Sequence, residues 1–320
     1  MIPAVNRSTT GGVLVIGSIT ADVTTFSQRL PDPGETILGD DFTLVLGGKG
    51  ANQAIASALA GADTHMVGCV GTDLFQQLTL GTLSERGVDV SAVRIVEGPT
   101  GVAHIRVDAA GENDIVMVPL ANGHLSTEDV DAGIAAAKGR ATVLLTQLET
   151  PVEVTSYAIR SGRAAGLIVI LDPAPAAPVD VDLWAAIDIV TPNETEARLI
   201  TGIDVVDVAS AKVAGRWFVE HEVGCAVVTL GAQGVVVVDA DGPRHIAAPH
   251  VTAVDTTAAG DAFAGYLGAE LSRGLTLGEA LPHAMAAGAL AVTRRGASPS
   301  LPDADAVAAF LKDPHKERMH

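Results

Sequence analysis

The chain has 320 residues, with 20 Lys and Arg against 38 Asp and Glu, a formal net charge of −18. That excess of acid speaks against nucleic acid and anionic membrane surfaces as partners, because both are gripped by clustered cations. With 48% hydrophobic and 18% charged residues, wholesale disorder is excluded, and one large domain, alone or with a small appendage, is expected.

In chain order, Val13–Gly17 predicts a buried strand, Lys49–Ala60 a helix, Thr64–Gly68 a strand and Asp73–Arg86 a helix. Short apolar strands follow at Val143–Gln147, Leu167–Leu171, Ile187–Val190, Ala226–Leu230 and Val235–Asp239. Ala-rich helices at Gly260–Arg273 and Leu277–Thr293 close the pattern. Continuous apolar strands alternating with helices indicate an α/β fold, a parallel sheet covered on both faces. In such sheets ligands sit beyond the strand C-termini. Two segments break the rhythm. Thr20–Leu46 and Thr100–Val118 alternate like antiparallel ribbons, with turn clusters at 31–35 and 109–113. They are either a small sheet over the site or plain surface hairpins.

The longest apolar run, Ala284 to Val292, is far too short to span a bilayer. The first twelve residues lack an apolar signal core, so a cytoplasmic protein is expected. Cys69 and Cys225 suggest neither a disulfide framework nor a zinc site and are expected to be small buried hydrophobes. The residues before Gly11 and after about Pro314 read as loose ends.

Several motifs fall where the strand rule places chemistry. Gly47-Gly48-Lys49-Gly50-Ala51-Asn52 opens a helix. It is either a tight strand-to-helix turn or a place where backbone N–H groups meet a polar ligand. It is not a Walker A loop, since Gly50 stands where Ser or Thr should follow the Lys. Asn193 with Glu196 three residues on reads as a capping box. Ala258, Ala259 and Gly260 would leave free N–H groups at a positive helix end, which suits phosphate charge, and Asp261 beside them could take a proton from a hydroxyl. The alternative for Asp261, stabilising the first helical turn, does not call for three small residues in a row. Asp22 is either an acceptor for two sugar hydroxyls or a turn residue. Glu149 is either a strand-end carboxylate or a charge at a helix start. Asp239–Gly242 is a hairpin turn, and His221-Glu222 lacks the second His of a zinc helix.

The set GSITAD (17–22), PDPGET (31–36), GGKGANQA (47–54), QLETP (147–151), DPAPA (172–176), TPNETEA (191–197), TLGAQG (229–234), VDTTAAGDAF (254–263) and AVTRRGASPS (291–300) resembles the PfkB-type sugar and nucleoside kinases, and among them the ribokinases. The motifs keep the family's order from about Gly12 to Leu311. The resemblance implies a three-layer α/β/α ribokinase-like fold with a mostly parallel central sheet and a β-sheet lid. The lid would be 20–46 and 100–118, on a large domain of 11–19, 47–99 and 119–314. It implies ATP-dependent phosphorylation of D-ribose at its 5-hydroxyl, and a homodimer clasped through the lids. Asp261 matches the base, and Ala258, Ala259 and Gly260 the anion hole. Thr20, Asp22, Gly48, Lys49, Asn52 and Glu149 match the sugar side. Asn193, Glu196, Thr229, Gly231, Gly234, Gly260 and Met285 match the ATP side, Glu196 reaching magnesium through water. Asp255, Thr257, Ala291, Arg294, Gly296 and Ser300 match positions around an activating potassium ion. Thr20 stands where these kinases usually have Asn, and Met285 near where Asn or His often touches adenine. The first departure leaves 2-deoxyribose, another sugar or a nucleoside as alternative acceptors. A non-catalytic sensor on the same fold would have no need of a positioned base.

Overall fold

The structure, a computed structural model, describes residues 11–313, so the expected loose ends lie outside it. A nine-stranded sheet runs in the order β13 (Gly242–Ile246), β12 (Val235–Asp239), β11 (Cys225–Thr229), β10 (Ile189–Val190), β9 (Ile168–Leu171), β8 (Ala141–Thr146), β1 (Gly12–Ile16), β4 (Thr64–Gly71) and β5 (Val88–Val96). Its pairings are parallel except for β11–β12 and β12–β13. The helices are α1 (Lys49–Leu59), α2 (Phe75–Glu85), α3 (Thr127–Ala136), α4 (Val152–Ala164), α5 (Glu194–Thr201), α6 (Val208–Glu220), α7 (Ala259–Ser272), α8 (Leu277–Ala291) and α9 (Ala304–Lys312).

Period-two alternation sorts the sheet into two cores. Along β1, Val13 and Val15 join residues of α1, α7 and α8, whereas Leu14 and Ile16 join residues of α3 and α4. Helices therefore cover both faces, and the architecture has three layers. Each fully buried Leu, Ile or Val here contributes about 1.5–3 kcal/mol. Cys69 and Cys225 are free and buried in these cores. Among the described residues no helix is long and apolar enough to cross a membrane.

A second sheet has four strands in the order β3 (Asp41–Gly47), β2 (Thr20–Phe26), β6 (Gly101–Val107) and β7 (Asn113–Val118). The β2–β3 and β6–β7 ribbons are antiparallel as expected, but β2 and β6 join them in parallel. The segments are therefore not separate surface hairpins. Alternation reports which residues share a face, not strand direction, and so could not show this pairing. The 31–35 cluster lies inside a longer loop between β2 and β3, where Asp32 and Glu35 bond each other's backbone.

Asn122, fully buried, fastens the point where the chain leaves the large sheet for the small one. Its Oδ1 accepts from the Ile19 N–H and its Nδ2 donates to the Ile19 carbonyl, each at 2.9 Å.

Candidate active site

The strand ends and helix starts converge on a group of acids around one lysine. Lys49 begins α1. Its Nζ lies 3.9 Å from Oδ2 of Asp172, just past the end of β9. Burial pulls the Lys49 ammonium down, but Asp172, Asp261, Glu149 and Glu196 together push it above its ordinary value. One cation cannot neutralise that many carboxylates. Lys49 keeps its proton, and the shortage falls on Asp172 and Glu196, whose carboxyls are raised. Burial pushes Asp172 up to about 7, with Lys49 and a bond from Gln53 pulling the other way and Glu196 and Asp261 adding to the rise.

Asp261, in the first turn of α7, is 5% exposed. Its Oδ2 accepts from Asn52 Nδ2 and its Oδ1 from Gln53 Nε2, both at 3.0 Å. The helix begins at Ala259, one residue earlier than expected, after Ala258 in a left-handed conformation (φ 58°). Such a φ in a residue with a Cβ is strained and turns the chain sharply into the helix. Asn52 Oδ1 is buried with no partner among the described residues, an acceptor ready for a hydroxyl.

Asp22 lies on β2, opposite Val45 and Ala103. It has room because Gly47 lacks a Cβ, which would sit 2.0 Å from the carboxylate. Thr20 Oγ1 donates to Asp22 Oδ1 at 2.7 Å, so its one hydroxyl proton is spent on the acid. Burial pushes Asp22 up to about 6, the Thr20 bond lowers it, and the charges of Glu149 and Asp261 add to the rise. Gly48 has φ 87°, and its carbonyl accepts the Asn52 N–H. Glu149 follows β8 and takes both its bonds on Oε2, from Ser18 Oγ at 2.5 Å and the Lys49 N–H at 2.9 Å. No hydrogen bond among the described residues occupies its other oxygen.

Asn193 and Glu196 form the expected capping box at the start of α5. Both Glu196 oxygens accept from Asn193, from its N–H and its Nδ2 at 2.9 Å each. Burial raises the Glu196 carboxyl, against the Asn193 and Lys49 contributions. Its electrostatic reach to Lys49 and Asp261 ties this helix start to the acids. Thr229 N–H donates to the Pro192 carbonyl at 2.9 Å, which brings the 229–234 loop alongside. Gly234 has φ 95°, and a Cβ there would strike the Ile246 carbonyl at 2.1 Å. Gly231 opens the same loop, also with positive φ. Met285 is buried in the α7–α8 core, and among the described residues no hydrogen bond links it to Asn193, Glu196 or the 229–234 loop.

Asp255 gathers a further loop. Its Oδ1 accepts from Thr257 N–H and Oγ1, and its Oδ2 from Gly296 N–H. Burial pushes its carboxyl up, but these bonds outweigh it and hold the group below its ordinary value. Asp255 N–H also donates to the Val292 carbonyl, beside Ala291 at the end of α8. The Ala291 carbonyl accepts the Arg294 N–H, and Ser300 Oγ donates to Ala297. Among the described residues no group of three or more His, Cys, Asp or Glu could hold a metal ion.

Four participants carried no individual assignment from sequence: Ser18, Gln53, Gln147 and Asp172. Asp172 and Gln147 are polar residues immediately after buried strands, the position the strand rule singles out.

The pfkB family carbohydrate kinase profile matches residues 11–304. Ribokinase of Haemophilus influenzae is 38% identical over 299 residues, covering 93% of this chain and 97% of that protein. Deoxyribokinase of Salmonella typhi is 34% identical over 301 residues, covering 93% and 98%. The structure of Arabidopsis thaliana ribokinase complexed with ribose and ATP superposes with a TM-score of 0.86 at 32% identity, covering 94% of this chain and 99% of that one. Matched along nearly its whole described length, the chain belongs to the pfkB family of carbohydrate kinases.

Proposed function

We propose that the protein transfers the γ-phosphoryl group of ATP to the 5-hydroxyl of D-ribose, giving ribose 5-phosphate and ADP. The observation that carries this reading is Asp261, a buried carboxylate oriented by two amides at the start of α7. Asp261 takes the hydroxyl proton, the oxygen attacks the γ-phosphorus, and the bond to the β-phosphate oxygen breaks. N–H groups at the turn Ala258-Ala259-Gly260 face the developing charge. Asp22, Asn52 and Glu149 hold the sugar hydroxyls, with Thr20, Gly48 and Lys49 shaping that side. Thr229, Gly231, Gly234 and Met285 hold the nucleotide. The capping-box geometry of Glu196 suits contact with magnesium through water, with Asn193 orienting it. Magnesium, bound with ATP, offsets phosphate charge.

Asp255, Thr257 and the carbonyls near Ala291, Arg294, Gly296 and Ser300 would hold potassium, steadying the loop ahead of α7. The sheet of 20–46 and 100–118 acts as a lid that excludes water from the large domain. Phe42, Ile115, Val116 and Val118 are exposed on its outer strands, which supports a homodimer through the lids. ATP dependence suits a cytoplasmic protein.

A second acceptor, 2-deoxyribose, is favoured by Thr20 in place of Asn and by the similarity to a deoxyribokinase. The test is turnover of ribose, 2-deoxyribose, fructose, adenosine and uridine with ATP, in the parent and in Asp261→Asn. The expected result is ribose first, with turnover lost by about 10²–10⁴-fold in the variant. Near-normal turnover in Asp261→Asn would remove the residue from its role.

A further inference from the structure

We infer that Gln53 is a positioning residue for phosphoryl transfer, holding Asp261 and the second buried acid, Asp172, in one fixed arrangement. This rests on the reading of Asp261 as the base. Gln53 is fully buried. Its Nε2 has two hydrogens and two takers, Asp172 Oδ2 at 2.7 Å and Asp261 Oδ1 at 3.0 Å. Its Oε1 accepts from Nε2 of Gln147, itself 1% exposed. The two carboxylate acceptors settle which way the amide points, and the Gln147 amide is oriented to match. Flipped, its oxygen would face two carboxylates and its nitrogen would face another nitrogen.

The backbone makes this reach possible. A Cβ at Gly265 of α7 would sit 2.5 Å from the Ala56 Cβ and 2.7 Å from the Gln53 carbonyl. Glycine therefore lets α1 and α7 approach closely, and Ser57 Oγ bonds both the Gln53 and the Gly265 carbonyl. At that distance two successive residues of α1 both touch Asp261. Asn52 holds one carboxylate oxygen and Gln53 the other, which fixes the carboxylate plane. Gln53 also places a donor between two acids that would otherwise face each other unscreened in a dry interior. With Asn52 alone the carboxylate could swing about a single bond, and a misplacement of about 1 Å costs up to about 10²-fold in rate.

The test uses the whole chain with D-ribose and ATP. Gln53→Met keeps length and volume but removes the donors. We expect kcat to fall about 10- to 100-fold while KM for both substrates stays within about three-fold, since the sugar contacts remain. Gln53→Glu places a third carboxyl between Asp172 and Asp261, with Lys49 the nearest cation and Glu149 and Glu196 beyond it. Its turnover should decline as pH rises and that carboxyl ionises, a limb the parent lacks. Folded Gln53→Met with kcat within about two-fold of the parent would overturn the inference. So would a Gln53→Glu profile that superimposes on the parent's. Should both fail to fold, Gln147→Met frees the Gln53 amide to rotate. A fall of about three- to ten-fold in kcat at constant KM is then expected, and no fall overturns the inference. An inactive parent, or an active Asp261→Asn, would instead sink the base assignment, so the two failures are distinguishable.

Discussion

Sugar binding should weaken in mild acid, through Asp22. Its carboxyl is pushed up to about 6, chiefly by burial. As an acceptor for sugar hydroxyls it is needed ionised. With that value about a tenth of the molecules are ionised at about pH 5 and nearly all at about pH 7.5. Ribose affinity, measured by calorimetry without ATP, should therefore drop about ten-fold between the two. In Asp22→Asn the affinity should be low throughout and much flatter with pH. The sign for stability runs the opposite way. A carboxyl that binds its proton more tightly folded than unfolded costs stability when ionised, and that cost is relieved as pH falls through about 6. Asp22→Asn should accordingly raise stability by at most about 3 kcal/mol at neutral pH, by about half of that at about pH 5, and hardly at about pH 3.5. Ribose affinity that holds level down to about pH 5 in the parent would refute the reasoning.

Potassium should raise turnover by ordering the Asp255 loop, and Asp255→Ala should abolish the response; equal rates with and without the ion would exclude that site. Light scattering at micromolar concentration should report a dimer, and Ile115→Asp should shift it towards monomer; a monomeric parent contradicts association through the small sheet. Thr20→Asn should raise the preference for ribose over 2-deoxyribose in kcat/KM, because the Thr20 proton is committed to Asp22. One hydrogen bond is worth about 0.5–1.5 kcal/mol, a few-fold to about ten-fold in that ratio. An unchanged ratio would remove Thr20 from acceptor choice.

The alternation of apolar runs and helices made the layered sheet legible, because each buried strand carries its own signal in consecutive residues. The strands β5 and β13 and the helices α3, α6 and α9 were not singled out, whereas the start of α5 was, through its capping box. Along β5, β13 and α3 exposed and half-buried residues mix and blur the periodicity, whereas α6 and α9 carry apolar faces legible in their sequence. At the site, Asp261, Asn52 and the Asn193–Glu196 box stand in motifs, and local spacing points to them. The joint between them does not. Gln53 meets Asp172 and Asp261 across 119 and 208 positions, a relation that no window of sequence contains. Gln147 likewise reaches Gln53 only once β8 and α1 are packed.

The near-contact of α1 and α7 at Gly265 has a consequence for how the enzyme cycles. The amides on one helix and the carboxylate on the other ride as one body, with no clearance for sliding. With the small sheet acting as the proposed lid, admission of sugar would fall to that sheet, swinging about its four crossings at Ile19–Thr20, Gly47–Gly48, Thr100–Gly101 and Val118–Pro119. On that proposal the reacting constellation would be preassembled before the lid closes. The disorder lost in aligning it is lost once, as the chain folds, and is not lost again with each turnover.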